Sequence, residues 1–154
     1  MFFRTSKLNF ILLFTIACTT YLFPQKISLD SLIQIHQNKP QDEKILIEIG
    51  ELYAAEKKWD LAIDSYEKLV DLNPDNPDYL YRLGGTQAAY SEVVSKFRVL
   101  SLINTAKRNL IKSASLDVEH IYSRWALVQI LTELPQILGG NKENALVYLS
   151  LIHI

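Results

Sequence analysis

The polar side chains that reactions draw on fall into three groups in this sequence. The first is "GGNK" at 139–142, a double glycine followed closely by a lysine. A phosphate-cradling P-loop needs spaced glycines, a lysine followed by serine or threonine, and a strand leading into the turn. Here Glu143 follows Lys142, and a helical pattern precedes the glycines. Gly139 and Gly140 therefore read as the end of one helix, with Asn141 capping the next. Phosphate held by backbone amides at that helix start is the competing reading. The second group is His36, His120 and His153, which form no pair at metal-ligand spacing. His36 is expected on a short exposed helix and His120 at a turn between units, both at the surface. The third group is carboxylate pairs one helical turn apart, Glu48 with Glu51 and Asp60 with Asp64. Such pairs do acid–base work only inside a cleft, and they are common on solvated helix faces. No serine sits in a G-x-S-x-G context. The single cysteine, Cys18, leaves no disulfide framework or cysteine metal site within one chain. The sequence predicts no catalytic residue, no metal ligand and no cofactor.

The elements that carry these groups repeat. Pro40 and Pro74 are 34 residues apart, as are Gly50 and Gly84, Leu46 and Leu80, and Ile49 and Leu83. The fullest unit is "EKILIEIGELYAAEKKWDLAIDSYEKLVDLNPDN", residues 43–76. Leu46, Ile49, Gly50 and Tyr53 fall on one face of a first helix, and Ala62, Tyr66, Leu69 and Leu72 on one face of a second. The small residues Gly50 and Ala62 let two antiparallel helices approach, while Tyr53 and Tyr66 fill the space beside them. Pro74 ends the second helix for want of an amide, and Pro77 suits the first turn of the next.

This unit resembles the tetratricopeptide (TPR) repeat, whose period is 34 residues. The resemblance implies an all-α fold of antiparallel helix-hairpin repeats, a TPR-like α-solenoid, spanning 26–154. Residues 28–42 are read as a half-repeat, 43–76 as a repeat, 77–120 as an elongated repeat and 121–154 as an incomplete one. In the second unit ten extra residues separate Gly84 from Ala106, compared with Gly50 and Ala62; they contain no breaker and are expected to lengthen both helices by about 7 Å each. Its inner face should hold Ala106, Leu110, Ser113 and Leu116. In the third unit Trp125 and Val128 are placed opposite Leu46 and Ile49, and four surplus residues sit at "LPQILGG". Residues 106–146 resemble, in particular, secreted or periplasmic bacterial TPR proteins with an elongated middle hairpin and a P-x-x-x-G-G turn.

In the TPR family the first helices line a concave groove. Carried over by position, that lining is Ile47, Glu48, Glu51 and Ala55, then Tyr81, Arg82 and Ala89. It mixes apolar and charged groups, which suits a protein or peptide partner. Ile47 and Glu51 occupy two points where a subset of the family clamps a partner's C-terminal carboxylate, so that clamp is expected to be absent. Tyr79, Tyr81, Tyr90 and Phe97 form an aromatic series along the second hairpin, with Tyr81 and Tyr90 expected toward the groove and Phe97 packed near the tip.

Composition excludes other classes. The 154 residues are 49% hydrophobic and 21% charged, with five glycines and five prolines, which suits one domain with a core. A net charge of −1 and no basic run beyond two residues argue against nucleic acid. The start is different material. Arg4 and Lys7 precede "LNFILLFTIACTTYLF" (8–23), an uncharged run short of the roughly 20 residues of a comfortable membrane span. Residues 1–25 therefore read as a signal peptide or an N-terminal anchor, with cleavage near Thr19 or Thr20. "TIAC" resembles a bacterial lipobox, but Thr15 stands where an aliphatic residue is usual, so lipidation of Cys18 is the minor alternative. The chain is expected to be exported to the periplasm or cell envelope, with membrane attachment through this segment left open. At the other end, the helix begun at "NKENALVYL" should run about ten residues past Leu149 by the repeat ruler. The final "SLIHI" resembles read-through at fragment ends, and the chain is expected to be a fragment. Three functions follow: a protein- or peptide-binding scaffold first, a small-molecule-binding accessory with a pocket near Tyr81, Tyr90 and Trp125 second, and an enzyme last.

Overall fold

Polar side chains at the helix starts fix where most elements begin. In the computed structural model, which describes residues 28–136 and 139–152, the helices are α1 (Leu29–Asn38), α2 (Glu43–Ala55), α3 (Trp59–Leu72), α4 (Pro77–Ser91), α5 (Lys96–Leu116), α6 (Ile121–Glu133) and α7 (Lys142–Ser150). The expectations for the leader segment with Cys18, and for His153, lie outside the described residues. Side chains of Ser28, Asp42, Asn76, His120 and Asn141 accept backbone amides at the starts of α1, α2, α4, α6 and α7. Each satisfies donors that the helix leaves free. Pro77 takes the first helical position of α4, where its missing amide costs nothing.

Among the described residues the fold is all-α, with no strand. Each helix packs on the next in chain order, and α4 also meets α6 directly. That last contact brings the first helices of successive hairpins side by side. One core cluster holds Leu46, Ala62, Tyr66, Leu69, Tyr79 and Leu83. A second holds Ile103, Ala106, Leu110, Ala114, Leu127 and Ile130. The small residues work as their spacing suggested. A Cβ at Gly50 would stand 2.5 Å from the Tyr66 ring, and one at Gly84 would stand 3.0 Å from the Ala106 carbonyl oxygen. Only glycine lets these helix pairs close to that distance.

Several expectations need correction. The ten extra residues do not lengthen both helices of the second hairpin equally. The first helix grows from 13 residues in α2 to 15 in α4, while the second grows from 14 in α3 to 21 in α5. Seven of the ten extra residues, about 10 Å, are therefore in α5. Before Ile103 no residue of that helix is fully buried, although Val99 leans on the second core cluster, and Phe97 is 99% exposed rather than packed at the tip. Leu72 and Leu116, expected on inner faces, end their helices and are exposed.

The third hairpin sits one residue out of the expected register. Trp125 is 52% exposed, whereas Arg124, Leu127, Val128 and Leu131 are buried. Their spacing of three, one and three repeats that of Leu46, Ile49, Gly50 and Tyr53. Arg124 thus takes the place of Leu46, and its guanidinium Nε has no hydrogen-bond partner among the described residues.

Candidate functional site

The GG turn is fully committed to its own backbone. Gly139 has φ of 89°, the left-handed region that glycine enters without strain. Its amide donates to the Gln136 carbonyl, that of Gly140 to Pro135 and that of Asn141 to Leu131, at 2.9, 3.1 and 2.9 Å. A Cβ at Gly140 would overlap the Leu134 carbonyl. Asn141 Oδ1 accepts the Asn144 amide at 3.0 Å and so caps α7, while Lys107 Nζ donates to the Gly139 carbonyl at 2.9 Å. The amides of residues 139–141 are all taken by backbone carbonyls, so the double glycine itself is a turn.

His120 is not at the surface. It is 8% exposed, packed against the rings of Tyr81 and Tyr122 at centroid separations of 5.4 and 6.0 Å. Its Nδ1 receives the Ser123 amide at 3.2 Å and lies 2.8 Å from Ser123 Oγ. Accepting an amide requires a bare Nδ1, so the ring proton is on Nε2, which donates to Asp78 Oδ1 at 3.0 Å. Ser123 Oγ is in turn 2.6 Å from Ser113 Oγ, and Ser113 donates to the Pro77 carbonyl at 2.7 Å. The order serine–histidine–aspartate is that of a nucleophilic relay. Ser123 is 0% exposed, however, and its oxygen is held between His120 and Ser113, where no substrate carbonyl can reach it. What the relay does is tie together the first turns of α4 and α6 and the last turn of α5. The angle between the second and third hairpins is set there.

The carboxylate pairs part company. Asp60 Oδ2 accepts the Tyr90 hydroxyl at 3.0 Å, and Asp60 Oδ1 pairs with Arg98 at 3.3 Å. Arg98 also donates to the Tyr90 hydroxyl and lies over its ring, and the Trp59 ring stacks near Tyr90 as well. Tyr90 therefore staples the tips of the first two hairpins instead of facing the groove. Glu51 pairs with Arg82 at 2.6 Å, bridging α2 and α4. Burial works against the charge on Arg82, but the hydrogen bond and field of Glu51 hold its pKa above the usual guanidinium value. Glu48 is exposed on the same side of α2.

The lining residues inferred from sequence thus divide into two places. Ile47 leans on the first core cluster, Glu51 meets Arg82, and Ala55 is exposed at the end of α2. Tyr81 and Ala89 belong to a hollow of about 380 Å³ between α4 and α6, completed by Gly85, Ala88, Glu92, Ala126, Gln129, Ile130 and Glu133. Small side chains, Gly85, Ala88, Ala89 and Ala126, make its floor. Tyr81 closes one end with His120 and Tyr122; Glu92 and Glu133 stand at the other.

Sequence reasoning missed the α6 half of this wall. The signal was present in the spacing of Arg124, Leu127, Val128 and Leu131, but a search for an apolar opening residue selected Trp125. The pocket envisaged around Tyr81, Tyr90 and Trp125 does not assemble, since Tyr81 and Tyr90 line separate hollows. Among the described residues, no three of His, Cys, Asp and Glu gather closely enough to hold a metal ion.

With this geometry in place, comparison with known families is informative. Residues 50–89 match a family model described as a TPR repeat. The match runs from Gly50 in α2, through α3, to Ala89 on the floor of the hollow. No curated protein resembles the chain closely enough to count as a relative.

Proposed function

Since the chain is a TPR-repeat protein, we propose that it acts as a non-catalytic scaffold that docks an extended protein or peptide segment in the hollow between α4 and α6. The observation that carries this reading is the direct approach of α4 to α6, which leaves a trough floored by Gly85, Ala88, Ala89 and Ala126. Tandem helical repeats use such extended concave surfaces for binding. A backbone can lie close to a floor of methyl groups and bare Cα atoms, and the flanking tyrosines offer rigid contact area at low entropic cost. The mechanism is equilibrium docking without covalent chemistry.

The proposed setting is the bacterial cell envelope, where the chain would serve assembly or transport. Its support is the basic start at Arg4 and Lys7 followed by the uncharged run 8–23. Alkaline phosphatase fused after residue 30 is expected to be exported and active; an inactive, cytosolic fusion contradicts the export. For the docking itself, the chain and its Ala89→Trp variant are used as bait in envelope extract. A specific protein retained by the first and lost by the second, with unchanged helical circular dichroism, is the expected result. Equal retention by both overturns the placement of the site.

A further inference from the structure

The hollow has a polarity, and we propose that its occupant is a cationic peptide segment, with lysine or arginine flanking an apolar or aromatic residue. This inference rests on the docking reading above and adds the chemistry of the partner. The lining contains two charged side chains, Glu92 and Glu133, and no lysine or arginine. Both carboxylates are exposed, and neither takes part in an ion pair among the described residues. Three cations of the second hairpin are engaged elsewhere. Arg82 is held by Glu51, Arg98 by Asp60 and Tyr90, and Lys107 by the Gly139 carbonyl.

Toward the other end the ring of His120 donates from Nε2 to Asp78 Oδ1, so it is turned to a carboxylate of this chain. Tyr81 lines the hollow at that end, and its ring lies 5.8 Å from that of exposed Tyr122. A guanidinium or ammonium is attracted to the faces of such rings as well as to carboxylates. Cation-binding groups therefore stand at both ends of an uncharged floor. From Tyr81 to Glu92 is about 16 Å along the helix at 1.5 Å per residue, the reach of about five residues of extended peptide. A segment of that length spans both ends, with its central side chain over Gly85, Ala88 and Ala126. An acidic segment would bring its carboxylates against Glu92 and Glu133 with no cation between them, and like charges at an interface discriminate strongly.

The test is fluorescence anisotropy with two fluorescein-labelled nine-residue peptides. One alternates lysine and leucine around a central tyrosine; the other has glutamate for every lysine. The full chain is expected to bind the cationic peptide at least tenfold more tightly at low salt, with the difference shrinking as salt screens it. The Glu92→Lys, Glu133→Lys double variant, altered only at exposed positions, is expected to reverse the preference. If the acidic peptide binds as well as or better than the cationic one, the polarity is overturned while the docking site stands. If neither peptide binds up to millimolar concentration, this inference also fails, and the envelope capture decides the broader reading independently. If the cationic peptide binds but the double variant leaves its affinity unchanged, it binds elsewhere and the assignment to this hollow is wrong.

Discussion

Arg124 carries the sharpest consequence of any one residue. It stands where the preceding hairpins have Leu46 and Leu80, is only 4% exposed, and leaves Nε without a partner among the described residues. Burying a guanidinium costs desolvation that hydrophobic packing would avoid. Arg124→Leu is therefore expected to stabilise the chain by about 1–4 kcal/mol in urea denaturation; a loss of stability would show that the guanidinium is well satisfied. Tyr66 gives a prediction in pH. Burial over Gly50 raises its phenol pKa above the ordinary value. The unfolded tyrosine releases its proton near the ordinary value of about 10 while the folded one keeps it, so the unfolded state gains as pH rises. Stability is fully present below that pH and falls above it. Tyr66→Phe, measured by thermal melts between pH 8 and 11, should flatten the fall; an unchanged slope would place its origin elsewhere. Tyr79, raised by burial and by the hydrogen bond to Glu43, should supply part of what remains.

Helices and turns show what sequence could and could not reveal. The 34-residue interval located the hairpins, and residue size marked Gly50 and Gly84 as points of close approach, although the group that meets Gly50 is the Tyr66 ring and not Ala62. The ten-residue surplus was legible as a number but not as a distribution. Whether α4 or α5 took it depended on where the chain turned, and neither glycine nor proline marks the turn at 92–95. Register in α6 was hidden because its opening core position holds an arginine, and no rule of apolar periodicity selects an arginine. Buried His120 was missed for a related reason. Its partners Asp78, Ser113 and Ser123 lie on three different helices, so only packing reveals them. The GG turn, by contrast, was readable, and its chemistry gives a ranked pair of outcomes. Asn141→Ala removes one cap and is expected to cost about 1 kcal/mol. Gly140→Ala drives a methyl into the Leu134 carbonyl and should cost more, about 1–3 kcal/mol by overpacking plus backbone strain. Urea melts that rank the two the other way would contradict the assigned role of Gly140.

For the molecule as a whole, two hairpin interfaces divide the labour. The Trp59–Tyr90–Arg98–Asp60 cluster and the Glu51–Arg82 pair hold the first hairpin to the second. The His120 relay holds the second to the third and, by fixing α4 against α6, sets the width of the hollow. The groove residues inferred on α2 and those on α4 are thus joined by an ion pair, while the trough itself opens one repeat further on. Docking there is what the account stands or falls on. It is tested by placing the photocrosslinker benzoylphenylalanine at exposed Gln129, in the hollow, or at exposed Lys68 on α3, away from it, and irradiating each chain in envelope extract. The account predicts a discrete covalent adduct from position 129 and none from position 68. Equal adducts from both positions, or an adduct from position 68 alone, would contradict it.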